Sequence, residues 1–153
     1  MHEYRMEHLF SCTVDLKNPP EIIGPTPDGL RINFYITGGV VTGQNISGRF
    51  LPVGADWAIM RTDGVGVLDI RATIETSDGA LVYVAYQGVI DAGKDGYQRF
   101  LEGNTPSKLP LRGAPRLMTS HPDYLWLNRL QCVNVGEVDV ANSSVAYDLY
   151  AIR

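Results

Sequence analysis

Two Asp-Gly pairs, Asp63-Gly64 and Asp78-Gly79, divide the stretch from Gly54 to Ile90 into three runs of strand-forming residues. An Asp-Gly pair between such runs is a strong local signal for a β-hairpin, because these residues accept the positive φ angles of a tight turn. The stretch is therefore predicted to form three antiparallel strands joined by two-residue turns, at residues 56–62, 65–77 and 80–90. Such a meander restricts the chain to β architectures.

Short strand-forming runs separated by glycine and proline continue through the rest of the chain. Further strands are predicted at residues 6–16, 30–36, 46–51 and 143–152. An irregular strand interrupted by Pro115 is predicted at residues 111–119, and residues 124–135 are predicted to start as a turn or bend and become a strand. The four prolines of residues 17–29 predict a loop there, and residues 97–101 are compatible with one helical turn. The pattern indicates an all-β sandwich or barrel with little or no helix. A single antiparallel barrel domain over residues 1–153 is favoured, since closure removes exposed strand edges.

The composition is that of an ordinary globular domain. With 44% hydrophobic residues, a net charge of -4 and a pI near 5.3, the chain lacks the basic surface that nucleic-acid binding requires. It also lacks a membrane-length apolar run and a secretory signal, so a cytoplasmic location is expected. Cys12 and Cys132 are accordingly expected to be reduced core residues. Because His2, His8 and His121 are scattered, neither a metal nor a cofactor is predicted.

The predicted two-residue turns fix a register for the three-strand meander. In that register Asp56 pairs with Arg71, and Arg71 pairs with Tyr86, so the three share a row with Asp69 one step along the same face. The opposite face is apolar apart from Arg61, which lies near Trp57 and needs an anionic partner or a place at the barrel mouth. A bulge near Val65–Val67 would instead move Asp69 and Arg71 away from Asp56, so the face that lines a cavity stays open.

The residues of this row suit proton chemistry on a carbonyl, phenol or epoxide. The candidate catalytic residues are Asp69 or Asp56 as base or acid, Arg71 as an anion holder and Tyr86 as a proton donor. The candidate ligand-binding residues are Trp57, Arg61, Trp126 and Asn128. The competing interpretation is that these side chains form a solvated or structural network with no chemical role.

The same residues carry a resemblance to a known family. Its pattern GADW…R.DG…LD.R…DGA appears here as Gly54–Trp57, Arg61, Asp63-Gly64, Leu68-Asp69, Arg71 and Asp78–Ala80. Matches continue at Val84–Gly88, Arg112, Pro115, Tyr124–Arg129 and Tyr147-Asp148, so the similarity covers nearly the whole chain. The chain thus resembles the family called domain of unknown function 3237, or uncharacterised protein family 0311. The resemblance implies a compact β-barrel of the lipocalin or allene-oxide-cyclase shape that self-associates.

Fold analogy with such barrels suggests small-molecule binding, or cyclisation or isomerisation without a cofactor. The leading hypothesis is a cofactor-independent acid–base enzyme, a cyclase or isomerase of secondary or aromatic-compound metabolism. The alternatives are a non-catalytic carrier barrel for a small hydrophobic ligand and a structural domain. The expected partners are a small-molecule ligand or substrate and further copies of the chain, as a homodimer or higher homo-oligomer, with no nucleic acid and no membrane.

Overall fold

Ten β-strands form one antiparallel sheet in the computed structural model, which describes residues 2–153. The strands are β1 (Met6–Leu16), β2 (Glu21–Thr26), β3 (Gly29–Thr42), β4 (Gly48–Met60), β5 (Val65–Thr76), β6 (Leu81–Asp91), β7 (Lys108–Gly113), β8 (Arg116–Met118), β9 (Gln131–Asp139) and β10 (Ser144–Ile152). One short helix, α1 (Gly96–Leu101), and a 3-10 helix (Pro122–Arg129) complete the chain. Among the described residues no helix has the length and apolar character to cross a membrane.

Eight of the strands close into a barrel. Their order around the barrel is β1, β10, β9, β7, β6, β5, β4 and β3, and β3 pairs back onto β1. Strand β2 pairs with β3, and β8 pairs with β6, outside this circle. The predicted all-β antiparallel barrel with little helix is confirmed. Closure gives each barrel strand a partner on both sides, which removes the unpaired edges of an open sheet.

The long strands β3 and β4 run through glycines that the sequence predicts to be breaks. The pairing of β3 with β4 shifts between Tyr35 and Val40, and the pairing of β4 with β5 shifts between Phe50 and Gly54. Gly54 has φ +93°, and a Cβ there would lie 2.1 Å from the Arg71 carbonyl oxygen. Glycine therefore lets the strand bend at a bulge rather than end. The predicted loop at residues 17–29 is also wrong in part, since it contains β2.

Both hairpins of the meander close with three-residue loops, not the predicted two-residue turns. In the first, the Arg61 N–H donates to the Val65 carbonyl at 2.9 Å, and the Gly64 N–H donates to the Arg61 carbonyl at 3.0 Å. The second hairpin repeats this pattern between Thr76 and Ala80. Gly64 and Gly79 have φ +85° and +88°, as expected for a type I turn followed by a left-handed glycine.

The extra loop residue changes the register of both hairpins by one. Asp56 pairs with Ile70 rather than Arg71, and Ile70 pairs with Tyr86. The predicted row is therefore wrong, because a one-residue change moves every side chain of β5 to the other face. The inward residues of the meander are Asp56, Ala58, Met60, Leu68, Ile70, Ala72, Ile74, Val82, Val84 and Tyr86, and the outward ones include Trp57, Asp69, Arg71, Thr73 and Tyr83.

The barrel interior contains two groups of packed apolar side chains. The larger group fills most of the barrel and includes Phe10, Leu68, Ile74, Leu127 and Leu149, all at most 1% exposed. A smaller group around Leu30, Met60 and Leu109 lies near α1, whose Phe100 packs against it. Cys12 and Cys132 are buried and free, which confirms the prediction that they are core residues.

Candidate functional site

The barrel encloses a cavity of about 290 Å³ that reaches the end of the barrel near α1. Its wall is mostly apolar and includes Val14, Ile32, Phe34, Ile36, Phe50, Leu68, Ile70, Ala72 and Val84. Its mouth includes Phe100 of α1, Asp139 at the end of β9, and four residues of connecting segments, Lys17, Asn18, Thr105 and Ser143. A mostly apolar cavity with a few polar groups is the usual form of a small-molecule site. Besides Asp139 at the mouth, three polar side chains from the barrel strands line the cavity: Asp56, Tyr86 and Tyr147.

The Asp56 carboxyl is the ionisable group of the cavity wall best suited to proton transfer near neutral pH. Asp56 lies on β4 between the cavity and the backbone of β5, and its Oδ1 accepts the Asp69 backbone N–H at 2.9 Å. The Asp56 pKa is raised to about 7. Burial is the main cause, the hydrogen bond from the Asp69 N–H opposes the increase, and the Asp69 charge adds to it. Both protonation states are therefore populated near neutral pH, which is the condition for acid–base catalysis.

Two tyrosines meet on the wall beside Asp56. The rings of Tyr86 and Tyr147 pack edge to face, with centroids 6.3 Å apart. Burial is the main cause that raises the pKa of both hydroxyls, and the Asp56 charge adds to the increase for Tyr86. Both hydroxyls therefore stay protonated at physiological pH and can donate hydrogen bonds into the cavity.

Asn134 lies behind these tyrosines and was missed by the sequence analysis. It is on the inward face of β9 and 1% exposed, and neither of its amide atoms has a hydrogen-bond partner among residues 2–153. A Cβ on Gly113 would lie 2.7 Å from Asn134 Oδ1 and 2.9 Å from Tyr86 Cδ2, so both side chains pack over this glycine. The signal in the sequence is the polar residue at an inward position of the alternating run Gln131–Val135.

Asp69 and Arg71, the other two candidate catalytic residues, lie on the outer surface of the barrel. They form an ion pair at 3.0 Å, with side chains 40% and 48% exposed. The Arg71 guanidinium stacks over the ring of Trp57 at 5.6 Å from the centroid, which places this candidate ligand-binding residue outside as well. The structure thus brings Asp56 and Tyr86 together and separates them from Asp69 and Arg71, because β5 presents its opposite face to the cavity.

The remaining candidate ligand-binding residues lie away from the cavity. Arg61 lies beside the first hairpin loop, where it pairs with Asp63, so it has the anionic partner that the sequence analysis requires. Asn128 is exposed on the 3-10 helix and holds the Thr119 backbone, accepting its N–H at 2.8 Å and donating to its carbonyl at 2.9 Å. Trp126 is partly buried against the large apolar group. These contacts are structural.

A larger depression, of about 840 Å³, lies on the outside of the barrel along β1, β7, β9 and β10. Its charged groups already have partners: Lys108 pairs with Glu137 at 2.5 Å, Arg112 donates to the Leu111 and Gly136 carbonyls, and Asp148 accepts the Ser11 hydroxyl. The depression is shallow and open to water, which leaves its ionisable groups solvated. The interior cavity is therefore the better candidate site. In the described part of the chain, no group of three or more His, Cys, Asp or Glu could hold a metal ion.

The fold and the cavity define a closed antiparallel β-barrel with an apolar interior that holds the Asp56 carboxyl and two buried tyrosines. The chain belongs to the family described as protein of unknown function (DUF3237), whose model matches residues 4–152. A UPF0311 protein of Rhodopseudomonas palustris is 34% identical over 131 residues, which is 84% of each chain. The predicted family membership is thereby confirmed.

Solved structures show the same barrel. A β-barrel-like protein from Acinetobacter baumannii has a TM-score of 0.85 and 31% identity, over 100% of this chain and 98% of that one. A structure described as an enzyme from Penicillium herquei has a TM-score of 0.71, over 100% of this chain and 97% of that one. Its identity of 20% shows a shared fold alone.

Proposed function

We propose that the protein is a cofactor-independent acid–base enzyme that isomerises or cyclises a small hydrophobic substrate in the barrel cavity. The observation that carries this proposal is the Asp56 carboxyl, which lines an apolar cavity and has a pKa of about 7. A structural carboxyl of a stable barrel gains nothing from such burial, since ionisation is disfavoured there. A catalytic acid or base gains a pKa matched to the working pH.

The geometry suits a reaction with two proton movements. The Asp56 carboxylate takes a proton from an acidic C–H or O–H group of the substrate, and the electron pair moves onto the conjugated oxygen. Tyr86 donates a hydrogen bond to that oxygen and stabilises its developing charge. Asp56 then returns the proton to another carbon, which isomerises the substrate, or the oxygen closes onto an electrophilic carbon while Asp56 protonates the product. No redox step is required.

Exchange of substrate protons with solvent tests the first of these movements. Acetophenone and related enolisable aryl ketones would be incubated with the protein in D2O, and loss of the α-proton signal followed by NMR. We expect the protein to accelerate exchange for at least one ketone. Asp56→Asn, which keeps the shape and the Asp69 contact, should slow it by about 100-fold or more.

Asp69→Asn is the matched control, because Asp69 lies on the same pair of strands but faces solvent. We expect this variant to exchange substrate protons within about threefold of the wild-type rate, because it loses only the smallest influence on the Asp56 pKa, the Asp69 charge. Exchange that persists in Asp56→Asn, or that fails equally in both variants, would contradict the role of Asp56.

The apolar wall of the cavity favours one second candidate, a carrier of a small hydrophobic ligand. A carrier would bind the ketones without exchanging their protons in any variant. The Penicillium herquei neighbour, described as an enzyme, supports catalysis only as an example of what this type of barrel can host.

A further inference from the structure

The cavity wall beside Asp56 contains neutral hydrogen-bonding side chains, and one of them, Asn134, has no hydrogen-bond partner among the described residues. Asn134 is 1% exposed, and both of its amide atoms lack a hydrogen-bond partner in residues 2–153. A buried unpaired amide is costly, so each such group calls for an explanation. Asn134 and the ring of Tyr86 share the space above Gly113, and the Tyr147 ring packs edge to face with that of Tyr86.

The kind of ligand follows from the charges and donors at this place. Tyr86 and Tyr147 offer two hydroxyl donors to the cavity, and their high pKa values keep them protonated. The Asp56 charge acts on Tyr86, so a ligand anion here would meet like charge. A hydrocarbon would offer these hydroxyls no acceptor in the cavity. A neutral carbonyl oxygen has two lone pairs and can accept both hydroxyls at once.

We propose that Tyr86 and Tyr147 form an oxygen-binding subsite for neutral carbonyl compounds, with Asn134 as the residue that positions Tyr86. In this proposal the Asn134 amide N–H donates to the Tyr86 oxygen once a ligand is bound, and the Tyr86 O–H is then free to donate to the ligand. The assignment names the substrate class for the cavity and in that sense rests on the proposed function. It concerns binding, however, and does not require turnover.

The test compares two ligands of nearly equal shape, acetophenone and ethylbenzene, which differ in the carbonyl oxygen. Their dissociation constants would be measured by protein-observed NMR titration. In Tyr86→Phe and in Tyr147→Phe we expect acetophenone to bind about fivefold more weakly, as for the loss of one hydrogen bond. Ethylbenzene should bind within about twofold of wild type or more tightly. Each substitution removes a single oxygen atom, so folding should be preserved.

Asn134→Leu tests the positioning role with the same pair of ligands. We expect a selective loss of acetophenone affinity, similar to that of Tyr86→Phe. The double variant, Asn134→Leu with Tyr86→Phe, should show no further loss. A merely structural role for Asn134 would weaken both ligands in parallel and would overturn the assignment. Tyr→Phe variants that leave the ratio of the two affinities unchanged would also overturn the subsite.

Two further measurements separate this proposal from the proposed function. Benzoate at pH 8 should bind more weakly than acetophenone, and tighter binding of the anion would exclude a site for neutral carbonyls. In the Asp56→Asn protein, adding Tyr86→Phe should weaken acetophenone binding relative to ethylbenzene binding by the same factor as in the wild-type protein. If no ketone exchanges protons, the proposed function fails, while the affinity ratios still decide the subsite.

Discussion

Burial of the Asp56 carboxyl makes the stability of the protein depend on pH. The folded protein holds the Asp56 proton up to about pH 7, whereas the unfolded chain releases it near pH 4. Between these values the folded state binds more protons, so the contribution of Asp56 to folding is most favourable below about pH 4 and is lost as the pH rises to about 7. The barrel thus tolerates a destabilising group at neutral pH.

The first prediction is that Asp56→Asn stabilises the protein above neutral pH. Asparagine can still accept the Asp69 N–H but carries no charge, so at pH 8 we expect the free energy of unfolding to increase by about 2–4 kcal/mol. The gain should decrease toward zero near pH 4. Urea unfolding of both proteins from pH 4 to pH 8 measures this difference, and a gain that does not vary with pH would refute the buried, raised pKa.

Gly113 makes room for the tyrosine and the amide at the proposed subsite. The second prediction is that Gly113→Ala destabilises the protein by about 1–3 kcal/mol and weakens acetophenone binding, because its Cβ would overlap Asn134 and Tyr86. Gly38→Ala is the control, since a Cβ at this strand glycine would meet only Asp15 Oδ2, at 3.7 Å. Urea unfolding and the NMR titration would measure the two effects, and equal effects in both variants would argue against this packing.

At the scale of elements, the two hairpin loops decide the chemistry of each face. Each loop holds one residue more than the Asp-Gly pair implies, and this sets Asp56 and Tyr86 inside while Asp69 and Arg71 face water. Loop length depends on whether the chain closes around two or three residues, and an Asp-Gly pair is compatible with both.

The two hairpin glycines differ in their surroundings, which gives the third prediction. Both have positive φ, so alanine at either position should cost about 1–2 kcal/mol. A Cβ on Gly64 would also lie 1.8 Å from the Gly93 carbonyl oxygen, whereas nothing lies within 4 Å of one on Gly79. We therefore expect Gly64→Ala to lower the free energy of unfolding by at least twice as much as Gly79→Ala. Equal unfolding midpoints of the two variants in guanidinium chloride would show that the backbone at Gly93 moves away from the new Cβ without loss of stability.

Local patterns predict most of the strands but not their curvature. Strands β1, β5 and β6 begin and end close to the predicted residues, because alternation and turn residues are local signals. The bends in β3 and β4 were predicted as breaks, since a glycine gives the same signal in a bulge and in a turn. Strand β2 was missed because proline is permitted on a strand outside the barrel circle.

The sequence predicts only part of the candidate site, because local patterns indicate polar residues in strands but not the register between the strands. Asp56 and Tyr86 could be found as polar residues in strand patterns, and the structure places both in the cavity. Asp69 and Arg71 are grouped with them only in the predicted register, and the three-residue loops shift that register by one residue. Asn134 and Tyr147 come from strands far along the chain, so their approach to Tyr86 depends on barrel closure, which no local pattern encodes.

At the scale of the whole molecule, closure of the barrel protects both thiols. Cys12 lies on β1, which pairs with both β10 and β3, and Cys132 lies on β9. Burial is the main cause that raises their pKa values to about 12 and about 11.

The fourth prediction is that neither thiol reacts with an aromatic disulfide reagent in the folded protein at pH 8. The thiolate is the reactive form, and burial both disfavours the thiolate and keeps the reagent away from the sulfur. In denaturant both thiols should react, which is the internal control. Rapid reaction of either thiol without denaturant would contradict its burial, and rapid reaction of Cys12 would show that β1 separates from a neighbouring strand. Self-association, implied by the family resemblance, stays a prediction that sedimentation would test.

The hydrogen bond from the Asp69 backbone to Asp56 has a consequence for stereochemistry. It fixes Oδ1 against the barrel wall, and among the described residues Oδ2 accepts no hydrogen bond. A proton that Asp56 transfers would therefore always travel through Oδ2 and approach a flat substrate from one side. Any product with a new stereocentre should then form as a single enantiomer, selected by a backbone amide whose own side chain lies outside the barrel.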